Sequence, residues 1–173
     1  MRHRAAGVTG LMMVVGALAS VPAAAANDAL LVPAAVPRRI IVSIPDRRLV
    51  VVENNEVVAA FPVAVGAPES PSPIGTFTVI NRITNPTYYR PGKVIGPGPS
   101  NPLGTRWIGL NQKGYGLHGT DVPSSIGYAK SHGCIRLLNA DVERLFERVR
   151  PGDIVELHAE STPAIAPFFA SVN

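Results

Sequence analysis

The sequence predicts a mainly β chain, a single β-rich and sandwich-like domain with one substantial helix. Three β-branched runs follow one another from Arg38, separated by short turn-forming pieces. Glycine (16) and proline (17) recur along the chain and punctuate loops rather than build helices. Only the stretch after Cys134 carries a clear helical apolar period. At 173 residues the chain has room for one ordinary domain.

Residues 1–26 read as an export signal. Arg2 and Arg4 open it, an apolar run from about Ala5 to Ala19 follows, and Ala24 and Ala26 supply the small residues a signal peptidase selects. Cleavage is expected after Ala26, delivering the chain to the periplasm or cell wall. The alternative is an uncleaved anchor, although the apolar run is short for a full membrane span. Removing this segment takes two arginines and no acid, so the net charge falls from +4 to +2. Basic clusters interleaved with aromatics are absent, so no nucleic-acid partner is expected.

Residues 27–37, rich in Ala, Pro and Val, form a linker, and residues 38–158 form the domain. "RIIVSI", "RRLVVVE" and "EVVAAFPVAVG" are strands of an antiparallel meander, joined at "PDR" and "NN". "GTFTVINRI", "RWIGL" and "YGLHG" read as further strands. Between them, Asn85 to Leu103 is a long loop full of Pro and Gly, the kind that often carries binding function. Trp107 lies in an apolar strand and is expected in the core. Asn139 is placed to cap the helix, with Asp141 and Glu143 in its first turn. Val142, Leu145, Phe146 and Val149 make its apolar face, and Pro151–Gly152 stops it. "DIVELH" is a closing strand, and residues 159–173 are expected to be a loosely held tail.

Export sharpens the meaning of the single cysteine, Cys134. Exported proteins pair their cysteines in disulfides, and this thiol has no partner in its chain. It is a small buried hydrophobe, a link between two chains, or a reactive nucleophile. A position shortly before a helix and near imidazoles is expected to lower its pKa. A nucleophile also needs a base within reach and a group to orient that base. His132, two residues away, and His118, at the end of a separate strand, are both candidates. Gly133 and Gly119 flank these groups and let backbone amides approach a substrate oxygen; the Cys134 amide and one from Ser131 to Gly133 are the candidate oxyanion donors. A zinc site built from His118, His132 and Cys134 is the competing reading, with Asp121 as the fourth ligand it would require. The expectation is that neither metal nor cofactor is used.

"HGT" at 118–120 followed by "SHGCIRL" at 131–137 resembles the signature of the YkuD-type L,D-transpeptidase catalytic domain. "SPSPIGTFTV", "NPLGTRWIGL" and "PSSIG" resemble further stretches of that family in the same order. The resemblance implies an exported bacterial enzyme acting on peptidoglycan stem peptides. Its cysteine attacks the carbonyl of the third stem residue and expels the terminal D-alanine. An amine of another stem, or of a wall-attached protein, then takes the thioester. On this resemblance Cys134 is the nucleophile, His118 the base, and the Gly119 carbonyl its orienting group. His132 and Gly133 belong to the oxyanion and substrate wall. Ser131, Arg136, Tyr88 and Tyr89 are substrate-binding candidates, Arg136 toward a carboxylate or, equally, as a structural ion pair. Carbapenems, which resemble the donor stem, are expected to acylate the thiol. The alternatives are an L,D-carboxypeptidase, in which water takes the same thioester, and a non-catalytic wall-binding domain.

Overall fold

A computed structural model describes residues 38–170. The stretches expected to be an export signal and a linker, residues 1–37, and the last three residues of the tail lie outside the described residues. The protein is mainly β, with 41% strand and 14% helix among the described residues. The three opening runs form β1 (Arg39–Ser43), β2 (Arg48–Glu53) and β3 (Glu56–Pro62), each antiparallel to the next. Their period-2 alternation divides the apolar residues between two faces. Ile40, Val42, Leu49 and Val51 enter the main core, whereas Ile41, Val50 and Val52 point to the opposite side.

The third run breaks after Pro62. Its continuation, β4 (Val65–Gly66), leaves the main sheet and pairs in parallel with β10 (Ala129–Ser131). Next come the long β5 (Gly75–Thr84), β8 (Arg106–Leu110), β9 (Gly116–His118), β11 (Ile135–Arg136) and β12 (Ile154–His158). These strands and the meander make one curled eight-stranded sheet in the order β11-β9-β8-β5-β12-β1-β2-β3. The closing strand lies in the middle of this sheet, parallel to β1 and antiparallel to β5.

The sheet curls over α1 (Asn139–Arg148), whose Val142 and Leu145 are fully buried in the main core with Phe146 beside them. The helix start differs from expectation. Leu138 occupies the capping position and offers no side-chain acceptor, while Asn139 is the first helical residue and turns its carboxamide elsewhere. Only Asp141 lies in the first turn, bound to Arg144 at 2.7 Å; Glu143 is further along, 3.9 Å from Arg106.

Two stretches expected to be irregular are ordered. Within the long loop, β6 (Tyr88–Arg90) and β7 (Lys93–Ile95) form a hairpin. Buried Asn101 staples its base: Nδ2 donates to the Pro86 carbonyl at 2.7 Å and to the Gly96 carbonyl at 3.0 Å. The tail is docked rather than loose through Ala170. Its short α2 (Ala166–Ala170) and the residue before it seat Phe169 and Ile165 against Ile41, Val50 and Val52. The second face of the meander is apolar, and this segment keeps it from water.

Candidate active site

The antiparallel register of β8 and β9 sets Trp107 opposite His118, and parallel pairing of β9 with β11 sets Arg136 beside His118. Cys134 immediately precedes β11. These residues line one cavity of about 950 Å³, walled on its other side by the β6–β7 hairpin. Tyr88, Tyr89, Ser131 and His132 also line it. Of the residues named from the sequence, Tyr88, Tyr89, His118, Ser131, His132, Cys134 and Arg136 share this cavity, brought together from three parts of the chain, whereas Gly119 and Gly133 do not line it.

His118 is buried, 5% exposed. Its Nδ1 lies 2.6 Å from the Gly119 carbonyl oxygen. A carbonyl only accepts, so Nδ1 carries the proton in this bond and Nε2 is left with a free lone pair. The Trp107 ring stacks on the imidazole, centroids 5.8 Å apart and planes at 24°. Trp107 is thus a wall of the site and not the core residue expected. Burial lowers the His118 pKa to about 4; the Gly119 bond opposes that shift and the charge of Arg136 adds to it.

Cys134 is partly buried, and its Sγ lies 3.5 Å from the Gly114 carbonyl, in hydrogen-bonding geometry for sulfur. Burial raises the thiol pKa, against a backbone hydrogen bond at Gly116 and the charge of Arg136. The expected lowering is therefore corrected for this state. The helix begins five positions later at Asn139, with β11 between, so its positive end is not at the sulfur. At neutral pH the pair rests as thiol and neutral imidazole.

The turn carrying Cys134 is tightly built. Ser131, 2% exposed, donates its hydroxyl to the Cys134 carbonyl at 2.5 Å and accepts the Gly133 amide at 3.0 Å. Its side chain thus shapes the turn, and the Gly133 amide is occupied as an oxyanion donor. Gly133 has φ +106°, and a Cβ there would lie 2.7 Å from the Tyr115 ring, so only glycine fits. His132 is exposed at the cavity rim. Arg136 pairs with no carboxylate among the described residues, which leaves its charge facing the cavity. No group of three His, Cys, Asp or Glu side chains converges among the described residues.

Sequence reasoning placed Trp107 among the aromatics nearest the cleft but favoured the core for it, and read the hairpin wall as an irregular loop. Trp107 was within reach: a turn at "NQKGY" folds "RWIGL" back on "GLH" and sets 107 against 118. The hairpin has no comparable signal in its Pro/Gly-rich sequence.

Residues 37–157 match the family model described as the YkuD L,D-transpeptidase catalytic domain. A Bacillus subtilis protein named as an L,D-transpeptidase, YqjB, is 40% identical over 118 residues, which is 65% of this chain and 66% of that protein. An L,D-transpeptidase structure from Mycobacterium smegmatis superposes with a TM-score of 0.60 at 25% identity, covering 71% of this chain and 59% of that one. The fold also matches LdtMt1 in complex with imipenem, with a TM-score of 0.60, 22% identity, and coverage of 70% and 59%. The chain thus spans just under two thirds of YqjB and 59% of each of these two structures.

Proposed function

The chain belongs to the YkuD-type L,D-transpeptidase catalytic domain family, and we propose that it transfers acyl groups between peptidoglycan stem peptides through a thioester on Cys134. One observation carries the assignment of roles. The only thiol and a buried imidazole, held with its Nδ1 proton on Gly119 and its Nε2 free, open into the same cavity.

The steps follow from that geometry. A donor stem places the amide carbonyl of its third residue against Sγ. His118 Nε2 takes the thiol proton as sulfur attacks. Because the resting pair is neutral, proton transfer accompanies attack and the imidazolium forms only with substrate present. Negative charge develops on the carbonyl oxygen, and the Cys134 amide, with that of His132, is the donor pair left by the occupied Gly133 N–H. The C–N bond breaks, the imidazolium protonates the leaving amine, and D-alanine departs. An acceptor amine then attacks the thioester, His118 removes its proton, and sulfur leaves to be reprotonated. Arg136 is the charge available to a stem carboxylate, and Tyr88 and Tyr89 are the hairpin's contacts with the stem.

Whole-protein mass spectrometry after incubation with imipenem tests the thiol. A one-to-one covalent adduct is expected on the wild type and none on Cys134→Ala. A folded wild type that stays unmodified overturns the assignment. Muropeptide products then separate the fates of the thioester: cross-links between third stem residues mark transfer, whereas free tripeptides mark hydrolysis. A wall-attached protein as acceptor requires its own product, a stem joined to a protein amine. Fractionation of cells expressing the full chain tests export, with the protein expected in the periplasm or wall and shortened by 26 residues.

A further inference from the structure

We propose that Asn139 is a positioning residue for His118, acting through the peptide that joins Gly119 to Thr120. The inference rests on the proposed role of His118 and adds a group outside the cavity to the machinery. The Gly119 carbonyl and the Thr120 N–H belong to one planar unit. Its oxygen accepts the imidazole Nδ1–H at 2.6 Å, and its N–H donates to Asn139 Oδ1 at 3.1 Å. An amide that donates on one side polarises and becomes a better acceptor on the other. The chain Asn139–peptide–His118 therefore does what a directly bonded third residue does elsewhere, one peptide unit removed.

Asn139 Oδ1 also accepts the Thr105 amide at 3.3 Å, and the Gly119 amide donates to the Arg106 carbonyl at 3.2 Å. The loop after His118 is thus held against the start of β8 through two oxygen atoms, Asn139 Oδ1 and the Arg106 carbonyl oxygen. The backbone makes room for Asn139 Oδ1 at two glycines: a Cβ on Gly104 would lie 2.0 Å from it, and one on Gly119 would lie 2.1 Å. The carboxamide nitrogen makes no hydrogen bond among the described residues. Only the acceptor end of this side chain is used. An asparagine serving as a helix cap would instead turn its oxygen to the first-turn amides, which this one does not.

The test measures the imidazole directly as well as the reaction. Nitrogen-15 shifts of the ring report its tautomer, and the rate of imipenem adduct formation reports the chemistry. In Asn139→Ala the Nδ1–H tautomer is expected to lose its dominance and acylation to slow by ~10- to 100-fold, the range for a misplaced reacting group. Asn139→Asp keeps the acceptor oxygen and is expected to hold the wild-type tautomer, move the Thr120 amide proton downfield and acylate within about threefold of wild type. A folded Asn139→Ala with wild-type tautomer and rate overturns the proposal. So does an Asn139→Asp protein that loses the Nδ1–H tautomer, an outcome readable even if the alanine variant does not fold. A wild type that imipenem never acylates would count against the parent reading alone, since the ring tautomers still report on Asn139.

Discussion

The cavity takes one histidine from each of two regions, and their settings are opposite. His118 ends β9, between β11 and β8, is buried, stacks on Trp107 and has its proton placed by Gly119. His132 sits in the turn that carries the thiol, exposed at the rim, with no hydrogen bond of its own among the described residues. Nearness in sequence favours His132; fixation favours His118. A base works by keeping one lone pair in one place at the right protonation state, and strand pairing supplies this where an exposed turn side chain does not.

The largest effect that would break this comparison is kinetic. His118→Ala is expected to fold and to be acylated by imipenem about 10²- to 10⁴-fold more slowly at neutral pH, the usual contribution of a positioned general base. Stopped-flow or timed mass spectrometry measures it. A rate within a few-fold of wild type transfers the role to His132.

Stability against pH sharpens the same contrast. His118 has a folded pKa of about 4, against an ordinary value of 6.5. Between these pH values the unfolded chain binds a proton that the folded chain refuses, so stability increases with pH across that window. Its contribution is whole above pH 6.5 and lost as pH falls toward 4, by roughly 3 kcal/mol for this shift. Urea unfolding of wild type and His118→Gln at pH 7 and pH 4.5 isolates it: the glutamine variant should lose much less on acidification. Equal losses would mean that His118 is hydrated and free to protonate.

The turn makes a smaller demand. Gly133→Ala forces a Cβ toward Tyr115 at a positive φ, and a cost of about 1–3 kcal/mol is expected. Thermal melts of Gly133→Ala alone and with Tyr115→Ala distinguish the causes. Partial recovery in the double variant marks the ring contact, and none marks backbone strain.

How much of this was legible depended on the range of the signal. Period-2 alternation and the i, i+3, i+4, i+7 stripe are local, and they placed the meander, β5 and the buried face of α1. The insertion of β12 between β5 and β1 is set by pairing across the whole domain, which no window reveals. The docking of Phe169 has the same origin, since the apolar face it covers was visible as alternation but its cover was not. At the site, Cys134 stood out as the single thiol of the chain, whereas the residues alone left His118 and His132 both open as its base, and the Gly119 carbonyl entered only through the family resemblance. Asn139 was misread because capping is the local use of asparagine before a helix, and its actual partners, Thr105 and Thr120, are distant in sequence. The thiol pKa was expected to fall because nearby positive groups were counted and burial was not.

The smallest expected effect is the most exacting test of the contrast. His132 lines the cavity, so its removal alters contact with substrate, but its imidazole carries no proton relay in the proposed reaction. His132→Ala should therefore change imipenem acylation by no more than about threefold, well below the cost of losing a positioned base. Its backbone amide, the part proposed to face the developing oxyanion, survives the substitution. Replacing residue 132 by proline removes that amide, and a deeper loss is expected than in the alanine variant, by about 10²-fold if the donor is as effective as others of its kind. Circular dichroism and the Gly133 and Cys134 amide shifts check that the turn is kept. If alanine slows acylation as much as proline does, the side chain of His132 takes part after all, and fixation at His118 is not the whole basis of the division between the two histidines.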